Sequence, residues 1–133
     1  MMKKSFLFLL VILGTVLSCK EEKPHAEDAV MQQAQQYYQL LIKGEYDAFL
    51  SGIDGADSLP ADYRELLMAN TCQFVDVQQK QRGGMVSVEA LRAVIDSTAT
   101  THANAFLLVC FGDSTREEVV VPMIERQGKW LMR

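Results

Sequence analysis

Residues 102–112 read HANAFLLVCFG, and the alternation of side chains along this stretch decides how the rest of the chain must fold. One face holds Ala103, Ala105, Leu107, Val109 and Phe111 and is wholly apolar. The other holds His102, Asn104, Phe106, Leu108, Cys110 and Gly112, apolar in its middle and polar at the His102 end. A sheet solvated on one side alternates cleanly, so a strand with two apolar faces belongs to a sheet covered on both. Residues 115–125 behave alike, with Val119, Val121 and Met123 on one face and Val120, Pro122 and Ile124 on the other. Helices are expected on one side of the sheet and a second subunit on the other, giving a homodimer through the sheet face. Pro122 cannot donate to a ladder and is expected at an edge or a bulge.

Working outward, Gly112-Asp113-Ser114 and Gln127-Gly128 are turn signals between short β-branched runs. From Gly83-Gly84 onward these runs predict three or four antiparallel strands joined as hairpins. Before the glycine pair the period changes. Val30, Ala34, Tyr37 and Leu41 form an apolar stripe that predicts a helix over about 28–43, ended by Gly44. A short helix follows in EYDAFLSGI (45–53), and DGADSLP (54–60) is a turn leading to an N-cap at Ser58 with Pro60 in the next first turn. That helix should run to about residue 80, with Tyr63, Leu67, Asn70, Phe74 and Val77 on one stripe. Helices first and a strand meander afterwards is the α+β pattern: N-terminal helices on a curved, mainly antiparallel sheet.

The chain opens MMKKSFLFLLVILGTVLS, two lysines and then a run from Phe6 to Leu17 broken only by Gly14 and Thr15. As a helix this run reaches about 18 Å, short of a hydrocarbon core of about 30 Å, and it matches a secretory signal instead. Val16-Leu17-Ser18-Cys19 resembles the lipobox of bacterial lipoproteins. That resemblance implies a diacylglyceryl thioether on Cys19, cleavage before it, and a protein anchored to the membrane by that lipid. A plain signal peptide with a coincidental cysteine is the alternative, against which charge, apolar length, Ser18 and Cys19 all agree. Residues 1–18 are thus expected to be a lipoprotein signal and 19–28 a lipidated, charged tether. Lys20-Glu21-Glu22 also looks like the acidic surface-export signal of some Gram-negative lipoproteins. The expected address is the outer membrane of a Gram-negative envelope, on its surface or its periplasmic side.

From residue 29 to 133 the chain resembles the nuclear transport factor two-like (NTF2-like) superfamily, the cone-shaped fold shared with ketosteroid isomerase. More narrowly, it resembles a group of small bacterial lipoproteins with that fold. YYQLLIKGEYDAF, GGMVSVEAL and VVVPMIERQGKWLMR carry the likeness. It implies one α+β domain whose curved sheet wraps a pocket, and frequent dimerisation through the sheet. Tyr37, Leu41, Phe49, Tyr63, Phe74 and Trp130 are the residues expected to line that pocket.

Chemistry is less legible. The 133 residues carry a net charge of −4, which becomes −6 without Lys3 and Lys4, so nucleic-acid binding is not expected. Nucleophile-elbow, zincin, phosphate-loop, EF-hand and C-x-x-C patterns are lacking, and no metal or cofactor is expected. His25 falls in the tether, His102 begins a strand, and Asp54 and Asp57 are explained by turn capping. Outside the cytoplasm Cys72 and Cys110 can form a disulfide or remain small hydrophobes; apolar neighbours favour the second. The leading expectation is a lipid-anchored, non-catalytic envelope module that binds a small apolar or amphipathic ligand or a protein partner. The alternative is an acid–base isomerase, dehydratase or hydrolase using Asp and Tyr in the cone, with Asp47 or His102 among its groups.

Overall fold

The computed structural model describes residues 25–133; the expected lipoprotein signal, the expected lipidation site Cys19 and the first part of the expected tether lie outside the described residues. Three helices, α1 (Ala26–Lys43), α2 (Tyr46–Ser51) and α3 (Ala61–Arg82), precede four strands. These are β1 (Met85–Ile95), β2 (His102–Phe111), β3 (Arg116–Arg126) and β4 (Lys129–Met132), hydrogen-bonded in the order β1-β2-β3-β4, each antiparallel to the next. Helix α1 begins inside the stretch expected to be tether. Glu27 and Asp28 suit the positive end of a helix dipole, and Asp28 accepts the His25 backbone N–H at 3.2 Å. Among the described residues no helix is long and apolar enough to cross a membrane.

The core forms where the α1 stripe meets the first face of β2. Val30, Ala34, Tyr37 and Leu41 are buried on the helix, and Ala103, Ala105, Leu107, Val109 and Phe111 on the strand. Val121, Met123, Trp130 and Met132 extend the same cluster onto β3 and β4. Register shifts at Met85/Ser87 and Ala90/Arg92 bend β1, which curves the sheet around the helix. Residues 25–133 therefore hold a complete core of their own.

Tyr37 locks this arrangement. Its hydroxyl donates to the Trp130 carbonyl at 2.8 Å, and burial raises its pKa above that of an ordinary phenol. Its ring lies against Gly52, where any Cβ would overlap the ring carbons. The backbone at Gly52 in turn completes the β4 edge. The Met132 N–H donates to the Gly52 carbonyl at 2.8 Å, and the Asp54 N–H to the Met132 carbonyl at 2.7 Å. Pro122 sits in β3, which is an interior strand rather than an edge. Its carbonyl accepts from Arg133 at 2.9 Å, just past the end of β4. Its missing donor points to that same side, where the partner strand runs out.

Helix α3 is packed differently. It starts after Pro60 rather than at Ser58, which lies in a 3₁₀ turn spanning Ala56–Ser58. None of its 22 residues is buried. Tyr63, Leu66 and Phe74 are each about half exposed. It is held mainly at its ends. Arg64 pairs with Asp47 of α2 at 3.6 Å, and Arg82 pairs with Glu117 of β3 at 2.7 Å. After Gly83 stops the helix in the left-handed region (φ 79°), the Gly84 carbonyl accepts from Gly112 at 2.9 Å. The backbone of Gly83 lies so close that a Cβ on Gly112 would overlap its carbonyl.

No described element covers the second face of the sheet. Val94 and Val120 are each about half exposed there, and Arg92 screens Phe106 with its guanidinium 3.9 Å from the ring while pairing with Glu118 at 3.1 Å. Cys110 belongs to this outer face, whereas Cys72 lies on α3 across the sheet. Both cysteines are free, and the intervening sheet corrects the disulfide considered from sequence.

Two outcomes are expected. Tyr37→Phe leaves the buried Trp130 carbonyl without its donor and should cost about 1–3 kcal/mol, read as a lower urea midpoint at unchanged slope. In native-state hydrogen exchange, α3 amides should lose protection well before those of α1 and β2, because local opening of α3 exposes little buried apolar surface.

Candidate functional site

A cleft separates α3 from the rest of the molecule. It comprises two cavities, of about 420 Å³ and about 280 Å³, whose walls share Tyr38 and Phe74. The smaller is walled by Leu41, Phe49, Leu50, Ile53, Leu67, Asn70 and Thr71 as well, and carries no charged side chain. The larger is floored by Met85, Val109, Phe111 and Val119 and rimmed by Gln78, Gln81, Arg82 and Glu117. This combination of an apolar body with a few polar points is the usual make-up of a small-molecule site.

Each wall follows from local sequence. One step along α1 turns the side chain by about 100°, so Tyr37 enters the core while Tyr38 turns to the cleft. Tyr38 meets Phe49 edge to face, 6.0 Å between ring centres, and burial raises its phenol pKa. Its hydroxyl has no hydrogen-bond partner among the described residues. On α3, Leu67, Asn70, Thr71, Phe74, Gln78 and Gln81 recur at helical spacing and present one face to the cleft. Thr71 directs its hydroxyl back to the Leu67 carbonyl at 2.8 Å. At the rim, the Arg82 guanidinium stacks 4.4 Å from the centre of the Phe111 ring while holding Glu117.

Of the residues expected to line a pocket, Leu41, Phe49 and Phe74 border this cleft. Tyr37 and Trp130 are buried in the core, and Tyr63 is half exposed at the start of α3, outside both cavities. Tyr38 and Phe111 belong to the aromatics that the sequence assigns to the elements of the cone without saying which of them line a pocket, whereas Gln78, Gln81, Arg82 and Glu117 escaped the sequence reading. The α3 residues continue the helical spacing from Phe74 and were reachable that way; the Arg82–Glu117 pairing has no sequence signature.

The acid–base candidates lie elsewhere. Asp47 is exposed and paired with Arg64. His102 shares a shallow groove with Asp96, Asn104 and Arg133, roughly 30 Å of strand from the Phe111 end that floors the cleft. Asp54 is clamped by Arg126 through two bonds of 3.1 and 3.0 Å, which hold its carboxyl below the usual carboxylate range. That pair borders a separate polar groove with Asp57 and Lys129. Among the described residues no group of three or more His, Cys, Asp or Glu side chains could hold a metal ion.

No protein-family model matches the sequence, and no curated protein matches it. Among solved structures, a Campylobacter jejuni chain with the working description NTF2-like transpeptidase is similar, with a TM-score of 0.58 and 19% sequence identity. The likeness covers 76% of this chain and 94% of that one. At such identity it speaks to architecture alone. The helices packed on a curved, open, antiparallel sheet, with a cleft at the mouth of the cone, give this chain the NTF2-like fold.

Proposed function

We propose that this protein is a lipid-anchored module of the cell envelope that holds a small apolar or amphipathic ligand in the cleft beneath α3. One observation carries the reading: a 22-residue helix with no buried residue roofs a cleft lined by Tyr38, Phe49, Phe74 and Phe111. Apolar surface left at such a seam gains from an occupant that excludes water. Cys19 carries the lipid that keeps the domain at the membrane, next to a source of amphiphiles. The outer sheet face, with Val94, Phe106 and Val120, joins two copies.

The acid–base alternative finds the Tyr38 phenol in the cleft but neither Asp47 nor His102 beside it. Of the ionised groups in the cleft lining, Glu117 is engaged by Arg82. A transpeptidase activity, the working description of the similar structure, would need a nucleophile; among the described residues no serine or cysteine lines the cleft, and the Thr71 hydroxyl that does is bonded to the Leu67 carbonyl.

Residues 20–133 should enhance the fluorescence of N-phenyl-1-naphthylamine. Phe74→Ala, which removes a half-exposed side chain, should weaken that probe about tenfold, a loss of about 1.4 kcal/mol. A wild-type domain that leaves the probe dark would sink the ligand reading. Native mass spectrometry of the same fragment should give a dimer, and Val120→Lys a monomer. In a Gram-negative host, the full chain should fractionate with membranes and Cys19→Ser with the soluble envelope contents. A Cys19→Ser chain that stays in the membrane pellet would remove the lipid anchor from the proposal.

A further inference from the structure

We infer, resting on the ligand reading above, that the cleft selects an uncharged single-chain amphiphile, its tail beneath Phe49 and Leu67 and its head group beside Gln78 and Gln81. The argument starts from the polarity gradient along one face of α3. Leu67 and Phe74 line the smaller cavity, where no side chain is charged. Gln78, Gln81 and Arg82 line the larger one, about 22 Å further along the helix from Leu67 to Arg82. Tyr38 and Phe74 border both cavities, so a chain passing between them contacts two rings at the junction.

The head-group end decides the charge. Arg82 and Glu117 border it as a matched pair 2.7 Å apart, with the guanidinium also stacked on Phe111. A carboxylate or phosphate entering there must displace Glu117 from Arg82 or sit beside an uncompensated carboxylate. An ammonium meets the mirror problem with Arg82. The pair is partly open to solvent, 36% for the Arg82 side chain and 52% for that of Glu117, so either charged head group keeps part of its water but meets a like charge and gains no vacant partner. An amide or alcohol head group faces neither penalty. It can donate and accept with the Gln78 and Gln81 side chains, which have no hydrogen-bond partners among the described residues, and with the Tyr38 hydroxyl. The ion pair therefore acts as a charge filter: present and satisfied, it turns away both signs.

The test uses residues 20–133 and displacement of N-phenyl-1-naphthylamine by three ligands with the same chain: decanamide, decanoate and decylammonium. Wild type should bind decanamide about fivefold more tightly than either ion, judged after correction for micelle formation. Glu117→Gln, which frees Arg82, should raise decanoate affinity about fivefold relative to that for decanamide. Arg82→Gln should do the same for decylammonium. Circular dichroism confirms that both variants fold, since each changes a surface side chain. 1-Decanoylglycerol, run alongside, separates a glyceride source of the ligand from an acyl amide. Equal binding of ions and amide, or variants that leave the charge preference unmoved, would overturn the filter while leaving the ligand site standing. A wild-type domain that binds the naphthylamine but none of the ten-carbon ligands overturns the single-chain assignment. Failure to bind any of the five compounds overturns the ligand site itself, and the filter with it.

Discussion

Tyr37 sits with its ring on the backbone of Gly52 and its hydroxyl on the carbonyl of Trp130, and the other elements are arranged around that contact. It joins three parts of the chain far apart in sequence: the middle of α1, the loop after α2, and the last strand. The same loop supplies Gly52 and Asp54 backbone groups to Met132, so the short β4 is paired on both sides. A four-residue strand at a sheet edge has little to hold it unless its outer groups are satisfied. The side-chain hydrogen bond and the backbone ladder are thus mutually dependent. Loss of the phenol hydroxyl leaves a buried carbonyl unpaired in the region where the edge is most fragile.

The rigidity of this corner throws the looseness of α3 into relief. Helix α1 is held by side chains inserted into the sheet's inner face. Helix α3 is held by ion pairs near its two ends and by the glycine contact that follows it, Gly84 to Gly112. Exposed pairs contribute little to stability, on the order of 0–1 kcal/mol each. Such a helix can shift without disturbing the core. The molecule is thereby divided into a locked body and a lightly tied roof, and the cleft lies at the seam between them.

The sheet manages its two faces and its edge by different means. The inner face is closed by α1. On the outer face Arg92 lies over Phe106 and pairs with Glu118, covering aromatic surface with a charged side chain and leaving Val94 and Val120 open. Along β1, an edge strand of eleven residues, the Ala90 N–H is taken by the Gln35 side chain at 2.8 Å and two bulges break the regular ladder. Both devices discourage strand addition at that edge.

Local pattern was enough to specify the architecture. The alternation in residues 102–112, the helical stripe through Val30, Ala34, Tyr37 and Leu41, and the glycine pair at 83–84 each report a period or a stop set by neighbours in sequence. Helix boundaries shifted by only a few residues, because terminal carboxylates such as Asp28 extend a helix that burial alone would start later. What the sequence could not supply was direction. The helical stripe turns Tyr37 inward and Tyr38 aside, but only the positions of Gly52 and Trp130 close the first into the core, and only the placing of α3 makes a cleft of the space beside the second. Cys72 and Cys110 are both flanked by apolar residues, and only the sheet between them keeps them apart. Arg82 and Glu117 are separated by 35 positions and meet because α3 ends where the β2–β3 hairpin turns. Periodicity is a local property that the chain carries with it. Which face meets which, and hence where a cleft opens and what charge it presents, exists only once distant segments have packed.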